Sequence, residues 1–316
     1  LTGFDLCQAA ARNTNQQNYK NEQKGGSMSK VVIQSLVGTA VALVVAIFIG
    51  FAGSQGGLTF LGLPLFALCA ALAILVQWLV FVPSLLARTE HYYDLTGSLT
   101  YITVTLFALF AAGNFDPRSL LIAGLCLIWA ARLGSFLFMR VKAAGFDRRF
   151  AKMLDIPAQF FMTWTLQGLW VTVTLAAGMA ALTSEPVPLG PLAIIGAAVW
   201  LVGFLIEVIA DWQKSKFRKE NKGGFITSGL WSWSRHPNYF GEIVLWIGIA
   251  IIAIPTLSGW QWATMISPIF VIVLLTQISG VRMLEVSGKK RWGDDEEYQA
   301  YVENTSVLIP LPPKSA

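Results

Sequence analysis

Eight stretches of the chain are almost wholly apolar: residues 31–51, 61–86, 99–113, 118–139, 157–182, 189–210, 239–256 and 262–283. Most run to about 17–25 residues, the length a helix needs to cross a hydrocarbon core of about 30 Å. The stretch 99–113 is short, and is expected to be half-buried or extended at either end. Backbone groups in lipid must be satisfied within their own segment. The pattern therefore predicts an all-α integral membrane protein, with about eight transmembrane helices in one bundle and a cytoplasm-facing polar pocket. The intervening segments alternate in character. Residues 52–60, 114–117, 183–188 and 257–261 are short and rich in Gly, Pro and Ser, whereas 87–98, 140–156, 211–238 and 284–316 are longer and carry nearly all the charge.

Composition agrees. The 316 residues are 55% hydrophobic and 13% charged, where a soluble domain carries about a quarter charged residues. With a cytoplasmic N-terminus, 21 of the 23 Lys and Arg fall in cytoplasmic segments. The exceptions are Arg118, in an opposite loop, and Arg132, inside a span. This asymmetry places both termini in the cytoplasm, in a bacterial inner membrane or its endoplasmic reticulum equivalent. The net charge of +5 then reflects topology and anionic headgroups, and nucleic acid is excluded as a partner. Cys7, Cys69 and Cys126 are scattered and only two histidines are present, so no metal site or disulfide framework is expected. Residues 1–30 begin at Leu, are rich in Asn, Gln and Lys, and end just past Gly25-Gly26-Ser27-Met28. They read as a disordered or vector-derived leader, before a single membrane domain at 31–311 and a short tail at 312–316.

Chemistry concentrates in residues 203–242, GFLIEVIADWQKSKFRKENKGGFITSGLWSWSRHPNYFGE. Glu207 and Asp211 are four apart and share a helix face. Pro237 suits the first turn of the next helix, where Asn238 and the helix N-terminus offer donors to an anion or carbonyl. Glu242 lies one turn deeper on the face of Asn238, positioned for a cationic or hydroxyl group. Trp231 and Trp233 are expected in the interfacial aromatic belt. Arg132 lies about two turns inside its span and is expected to pair with Asp94, Glu207 or Asp211, as a structural ion pair or a ligand for cofactor phosphate.

NYFGE after a glycine-rich turn resembles the C-terminal signature of the steroid 5α-reductase family. IEVIADWQKSKF, GLWSWSRHPNYFGE and EEYQAYVENTSVLIP resemble its bacterial-type branch, DUF1295. With TEHYYDLTGSLTYI, WAARLGSFLFMRV and FDRRF, the likeness covers about residues 88–311. It implies a helical bundle open to the cytoplasm, in which NADPH reduces an activated carbon–carbon double bond in an apolar steroid, isoprenoid or lipid-like substrate, with no obligate protein partner. Carried over, Asn238 and Glu242 match cofactor-contacting positions, with Tyr239 between them and Asp211, Arg235 and His236 nearby. Asp147, Arg148 and Arg149 occupy a loop with acidic and basic groups near the cofactor, and the two arginines suit a 2′-phosphate. Arg282, Glu285 and Tyr298 fall where the family closes the site.

Steroid-reducing members hold the substrate carbonyl with a glutamine–glutamate pair and a tyrosine, and no such pair occurs in the early helices. The corresponding segment offers Glu90, Tyr93 and Asp94 as the acid near the reacting centre. Two alternatives stay open. The RHPxY motif is shared with S-adenosylmethionine-dependent membrane methyltransferases of the isoprenylcysteine type, and a non-catalytic lipid-binding or transport protein would need no cofactor. There is no GxGxxG between strand and helix, so a dinucleotide would have to bind inside a helical bundle.

Overall fold

The computed structural model of the chain describes residues 3–144, 150, 153–221 and 223–313. The chain is helical almost throughout. Helix α1 (Gly3–Ser54) carries its first crossing in Met28–Ser54. A two-residue hairpin, β1 (Thr59–Phe60) and β2 (Leu63–Pro64), turns through Leu61 and Gly62, both at positive φ, and leads into α2 (Leu65–Leu86). There follow α3 (Tyr93–Ala112), α4 (Pro117–Ala144), α5 (Pro157–Leu182), α6 (Pro191–Glu220) and α7 (Pro237–Ala253). The eighth crossing, Gly259–Trp292, is made in pieces. A 3₁₀ turn (Gly259–Met265) and α8 (Ile266–Val273) run into a π-helical turn (Leu274–Ile278), and α9 (Val281–Trp292) follows. Helix α10 (Glu296–Asn304) begins beyond it, capped by Asp295.

Among the described residues eight helices are thus long and apolar enough to cross a membrane, and the chain is an integral, multi-pass membrane protein. The short third span extends back to Tyr93, through residues whose polarity hid it from a hydropathy reading. Those residues face inward: Thr96, Gly97, Ser98 and Thr100 are buried, and Thr100 accepts a 2.8 Å bond from the Gln77 side-chain amide. Where residues 262–283 read as one apolar span, the structure has three helical geometries in succession.

Helix α5 is the axis of the bundle, with 89% of its apolar window buried. Lipid tails are as apolar as leucine, so helix association here depends on close packing rather than on escape from water. Small residues supply that packing. Ala176, Ala177, Gly178, Ala180 and Ala181 are buried along α5.

The tightest contact is between α6 and α7. Gly196 and Gly203 on α6 face Gly248 and Gly241 on α7. A Cβ on Gly203 would come within 2.6 Å of the Gly241 carbonyl, and one on Gly241 within 2.6 Å of the Glu207 amide. The two backbones touch, which brings Glu207 of α6 level with the first turns of α7. At the other end of the bundle Arg118 is 2% exposed and donates to the carbonyls of Ile252, Val187 and Pro188 at 2.6, 3.1 and 2.6 Å. Arg118 therefore clamps the far end of α7 to the loop before α6.

A methyl group in the seam forces the helices apart. Gly203→Ala should cost about 1–3 kcal/mol by overpacking. Thermal unfolding in detergent should show a clearly lower midpoint than for Gly124→Ala, where nothing lies within 4 Å of the added carbon.

Candidate functional site

Two turns into the bundle from its basic end, α4, α6 and α7 form a charged core. Trp129 and Arg132 are three apart on α4, Glu207 and Asp211 four apart on α6, and Asn238 and Glu242 four apart on α7, so each pair shares a face. The Arg132 guanidinium forks, with one nitrogen 2.5 Å from Glu207 Oε1 and another 2.5 Å from Asp211 Oδ2. The Trp129 indole N–H donates to Glu207 Oε2 at 3.2 Å, and the Asn238 amide donates to Asp211 Oδ1 at 3.2 Å. Glu207 and Asp211 are buried, and Glu242 lies close enough to both carboxylates and to Arg132 to interact electrostatically. One guanidinium faces three carboxylates. The surplus suits hydrogen-bond donors or positive charge on a ligand.

Against this core stands a cluster of three rings. Tyr101 of α3 meets Trp129 edge-on at 5.0 Å, Trp129 meets Trp246 of α7 edge-on at 4.9 Å, and Tyr101 lies 6.0 Å from Trp246. The Trp246 indole N–H is buried and has no partner among the described residues.

Toward the basic end, next to the core in sequence on both α6 and α7, lies a cleft of about 190 Å³. Four cations line it, Lys214, Arg218, Arg235 and Arg291, with the rings of Phe225, Trp292 and Tyr298. The tail builds its outer wall. Arg235 N–H donates to the Ser306 carbonyl at 2.8 Å, Ser234 hydroxyl to the Leu308 carbonyl at 2.8 Å, and Tyr301 hydroxyl to the Trp231 carbonyl at 2.7 Å. Glu285 lies 2.8 Å from His236 Nε2 and 3.1 Å from Arg235. Burial pushes the His236 imidazole below its usual range despite the Glu285 carboxylate, which pulls the other way. Burial raises the phenols of Tyr298 and Tyr301, reinforced by the Glu285 charge and opposed by Arg235. His236 Nδ1 and Arg235 Nε are buried with no partner among the described residues.

The residues expected from the sequence divide into groups. Arg132, Asp211, Asn238 and Glu242 meet in the charged core, and Arg235, His236, Glu285 and Tyr298 in the cleft. Tyr239 stacks on His236, ring centres 5.8 Å apart. Arg282 is exposed on α9, outside the cleft lining. Asp147, Arg148 and Arg149 lie outside the described residues. Of the expected acids, Tyr93 donates its hydroxyl to the Thr163 carbonyl at 3.1 Å and packs on Trp164. Asp94 lies 3.3 Å from Arg140, and Glu90 is buried before α3. Arg132 therefore takes Glu207 and Asp211 as partners, and Asp94 takes Arg140. Trp231 is not a belt residue. It is 3% exposed and donates to the Ala210 carbonyl at 3.0 Å, while Trp233 is exposed.

Sequence reasoning missed Tyr101, Trp129 and Trp246, together with Lys214, Arg218 and Arg291. The one local signal for the rings was Trp129, a turn before the intramembrane arginine.

Over two stretches of about a quarter of its length, the chain is 33% identical to steroid 5-alpha-reductase DET2 of Arabidopsis thaliana (72 residues, 22% of this chain and 25% of that one) and 36% identical to 3-oxo-5-alpha-steroid 4-dehydrogenase 1 of Bos taurus (75 residues, 23% and 29%). The Rattus norvegicus 3-oxo-5-alpha-steroid 4-dehydrogenase 1 is 27% identical over 123 residues, 38% of this chain and 42% of the rat protein. The match thus spans less than half the length of each of these relatives. No solved structure matches significantly. The family described as "Protein of unknown function (DUF1295)" matches residues 80–305, which include the charged core, the ring cluster and the cleft. The chain belongs to this steroid 5α-reductase-like family.

Proposed function

We propose that the protein is an oxidoreductase that uses NADPH to reduce a polarised carbon–carbon double bond in an apolar substrate, with the basic end of the bundle in the cytoplasm. The observation that carries this reading is the cleft, lined by four cations and by aromatic rings that include Phe225, Trp292 and Tyr298, with a carboxylate-rich core three to four residues away along α6 and α7. A phosphorylated dinucleotide has that polarity, with anionic and flat at one end and a neutral or cationic ring at the other. Lys214, Arg218, Arg235 and Arg291 suit its phosphates. Phe225, Trp292 and Tyr298 suit the adenine. The unpartnered Arg235 Nε and His236 Nδ1 are buried polar groups of the kind a ligand satisfies. Arg148 and Arg149 are assigned to the 2′-phosphate, with Asp147, Tyr239, Arg282 and Glu285 as further cofactor contacts.

When bound, a reduced nicotinamide supplies hydride to the β-carbon of an activated alkene. This chain's own residues orient and enclose. Arg132 fixes the rotamers of Glu207 and Asp211, and Asp211 fixes Asn238, so Asn238 and Glu242 can hold a carboxamide. Trp129 and Trp246 wall the core against water. The substrate reaches the site from the bilayer, as an apolar steroid, isoprenoid or lipid-like molecule. A methyl donor such as S-adenosylmethionine carries no phosphate and only a single carboxylate for the four cations, which favours reduction over methyl transfer.

Thermal shift of the detergent-purified protein tests the cofactor. NADPH should raise the midpoint, and Arg218→Ala should weaken its binding about tenfold, equivalent to about 1.4 kcal/mol. A shift with S-adenosylmethionine but not NADPH would move the assignment to methyl transfer. Arg132→Ala should destabilise the protein by about 3–5 kcal/mol, because it leaves two buried carboxylates without their cation. Chemical unfolding of Arg132→Ala beside Arg132→Ala/Glu207→Gln/Asp211→Asn should show part of the loss recovered in the triple variant.

A further inference from the structure

We propose that the wedge between α1 and α2 is a lipid site, which holds one acyl chain of a membrane phospholipid from the leaflet at the hairpin end of the bundle. It lies outside residues 80–305, which the family matches, and is independent of the reductase reading. The hairpin joins the two helices at their outer ends, where they touch. A Cβ on Gly53 would meet the Phe66 ring, and one on Gly50 would lie 3.9 Å from Ala67. Alongside these contacts runs a cavity of about 560 Å³. Its lining extends from Ser54 back to Leu43 on α1 and from Pro64 to Trp78 on α2, about 16–21 Å of helix. Half of a hydrocarbon core is about 15 Å, so the cavity is as long as one leaflet.

Chemistry and width select the occupant. Ala46, Gly50 and Ala70 form a buried floor, and Ile47, Phe51 and Leu75 stand exposed as walls. Ser54 and Trp78 carry the polar side-chain groups of the lining, and both are committed. The Ser54 hydroxyl donates to the Gly50 carbonyl at 2.6 Å, and the Trp78 indole N–H to the Thr165 hydroxyl at 3.0 Å. No lining side chain is charged, so the occupant is hydrocarbon along its whole length there. The cavity volume spread over about 20 Å leaves a mean section of about 28 Å². A helix is about 10–12 Å across with its side chains, so a partner's span does not fit, whereas one extended chain does. Both walls belong to membrane-crossing helices, which puts acyl chains at the mouth. Arg118, the basic residue of that end, is already committed to three carbonyls, so the site reads the chain and not the headgroup charge. Nothing in the wedge can hold a reacting function. The charged core is built on α4, α6 and α7, while α1 and α2 pack on α5.

Filling the wedge has a structural consequence. Only 22% of the apolar window of the first span is buried, the smallest share among the eight spans. Helices in lipid associate through close packing, and an empty wedge forfeits those contacts. A chain seated between α1 and α2 completes the packing of α1 and acts as a fixed part of the fold rather than as exchanging solvent.

The test uses the full chain extracted in mild detergent, with dioleoylphosphatidylcholine as the probe. Native mass spectrometry should show one phospholipid retained by the wild type. Adding the probe to delipidated protein should raise the unfolding midpoint saturably. Ala71→Phe, which sets a ring in the cavity, should bind the probe at least about tenfold more weakly and lose the probe-induced shift, with its response to NADPH that of the wild type. Leu75→Ala, which removes a wall, should also weaken retention, and serves if Ala71→Phe does not fold. Retention and shift unchanged in both variants would overturn the proposal, as would a wild type that retains no phospholipid and gives no shift. A shift from free sterol but not from phospholipid would give the wedge to a substrate instead. Cross-linking of Ala71→Cys to a second copy in native membranes would give it to a dimer, and either result overturns the lipid site. Absence of an NADPH shift in the wild type would overturn the reductase reading alone, and the phospholipid shift would still decide this one.

Discussion

Direct contact between the backbones of α6 and α7 is the constraint on which the rest depends. Gly196 and Gly203 on one helix and Gly241 and Gly248 on the other leave no room for a Cβ between them. In lipid no hydrophobic force pulls helices together, so an approach this close needs small residues. Its consequence is chemical. Glu207 and Asp211 come alongside Asn238 and Glu242, although about thirty residues of chain separate them, and α4 needs only one arginine to bridge the two carboxylates of α6.

The charged core is costly to place inside a membrane, and a buried ion pair is often no more stable than an apolar replacement. Retention of three carboxylates, one arginine and an asparagine in such a place fits a site better than a scaffold. The geometry grades outward in polarity. The ring cluster lies deepest, the carboxylates next, and the four cations of the cleft at the end where the tail folds back over residues 231–235. A long ligand with one apolar partner would meet each layer in turn.

Much of the fold was legible because lipid imposes a simple rule. Residues 157–182 read as a span and form α5 with the same bounds, since Pro157 opens it and Thr183 follows its last apolar residue. The start of α3 was not legible, because Asp94, Thr96, Gly97 and Ser98 lower the hydropathy while facing a polar interior around Gln77 and Gln167. The π-helical turn at Leu274–Ile278 left no mark that separates it from an ordinary apolar helix. In the site, spacing within a helix was readable and assembly between helices was not. Glu207 with Asp211, and Asn238 with Glu242, follow from a four-residue step. The company of Tyr101, Trp129 and Trp246 depends on how three helices rotate against one another, and lone aromatic residues in apolar spans carry no such information.

The most direct measurement of the central claim is energy transfer from the protein's indoles to NADPH in detergent. Trp292 lines the cleft and Trp129 and Trp246 stand beside the core, so bound reduced nicotinamide should quench indole emission and brighten its own, saturably and reversibly by NADP⁺, with a weaker signal in Trp292→Phe. Quenching that rises without saturation, and that NADP⁺ does not reverse, would contradict a dinucleotide site in this bundle.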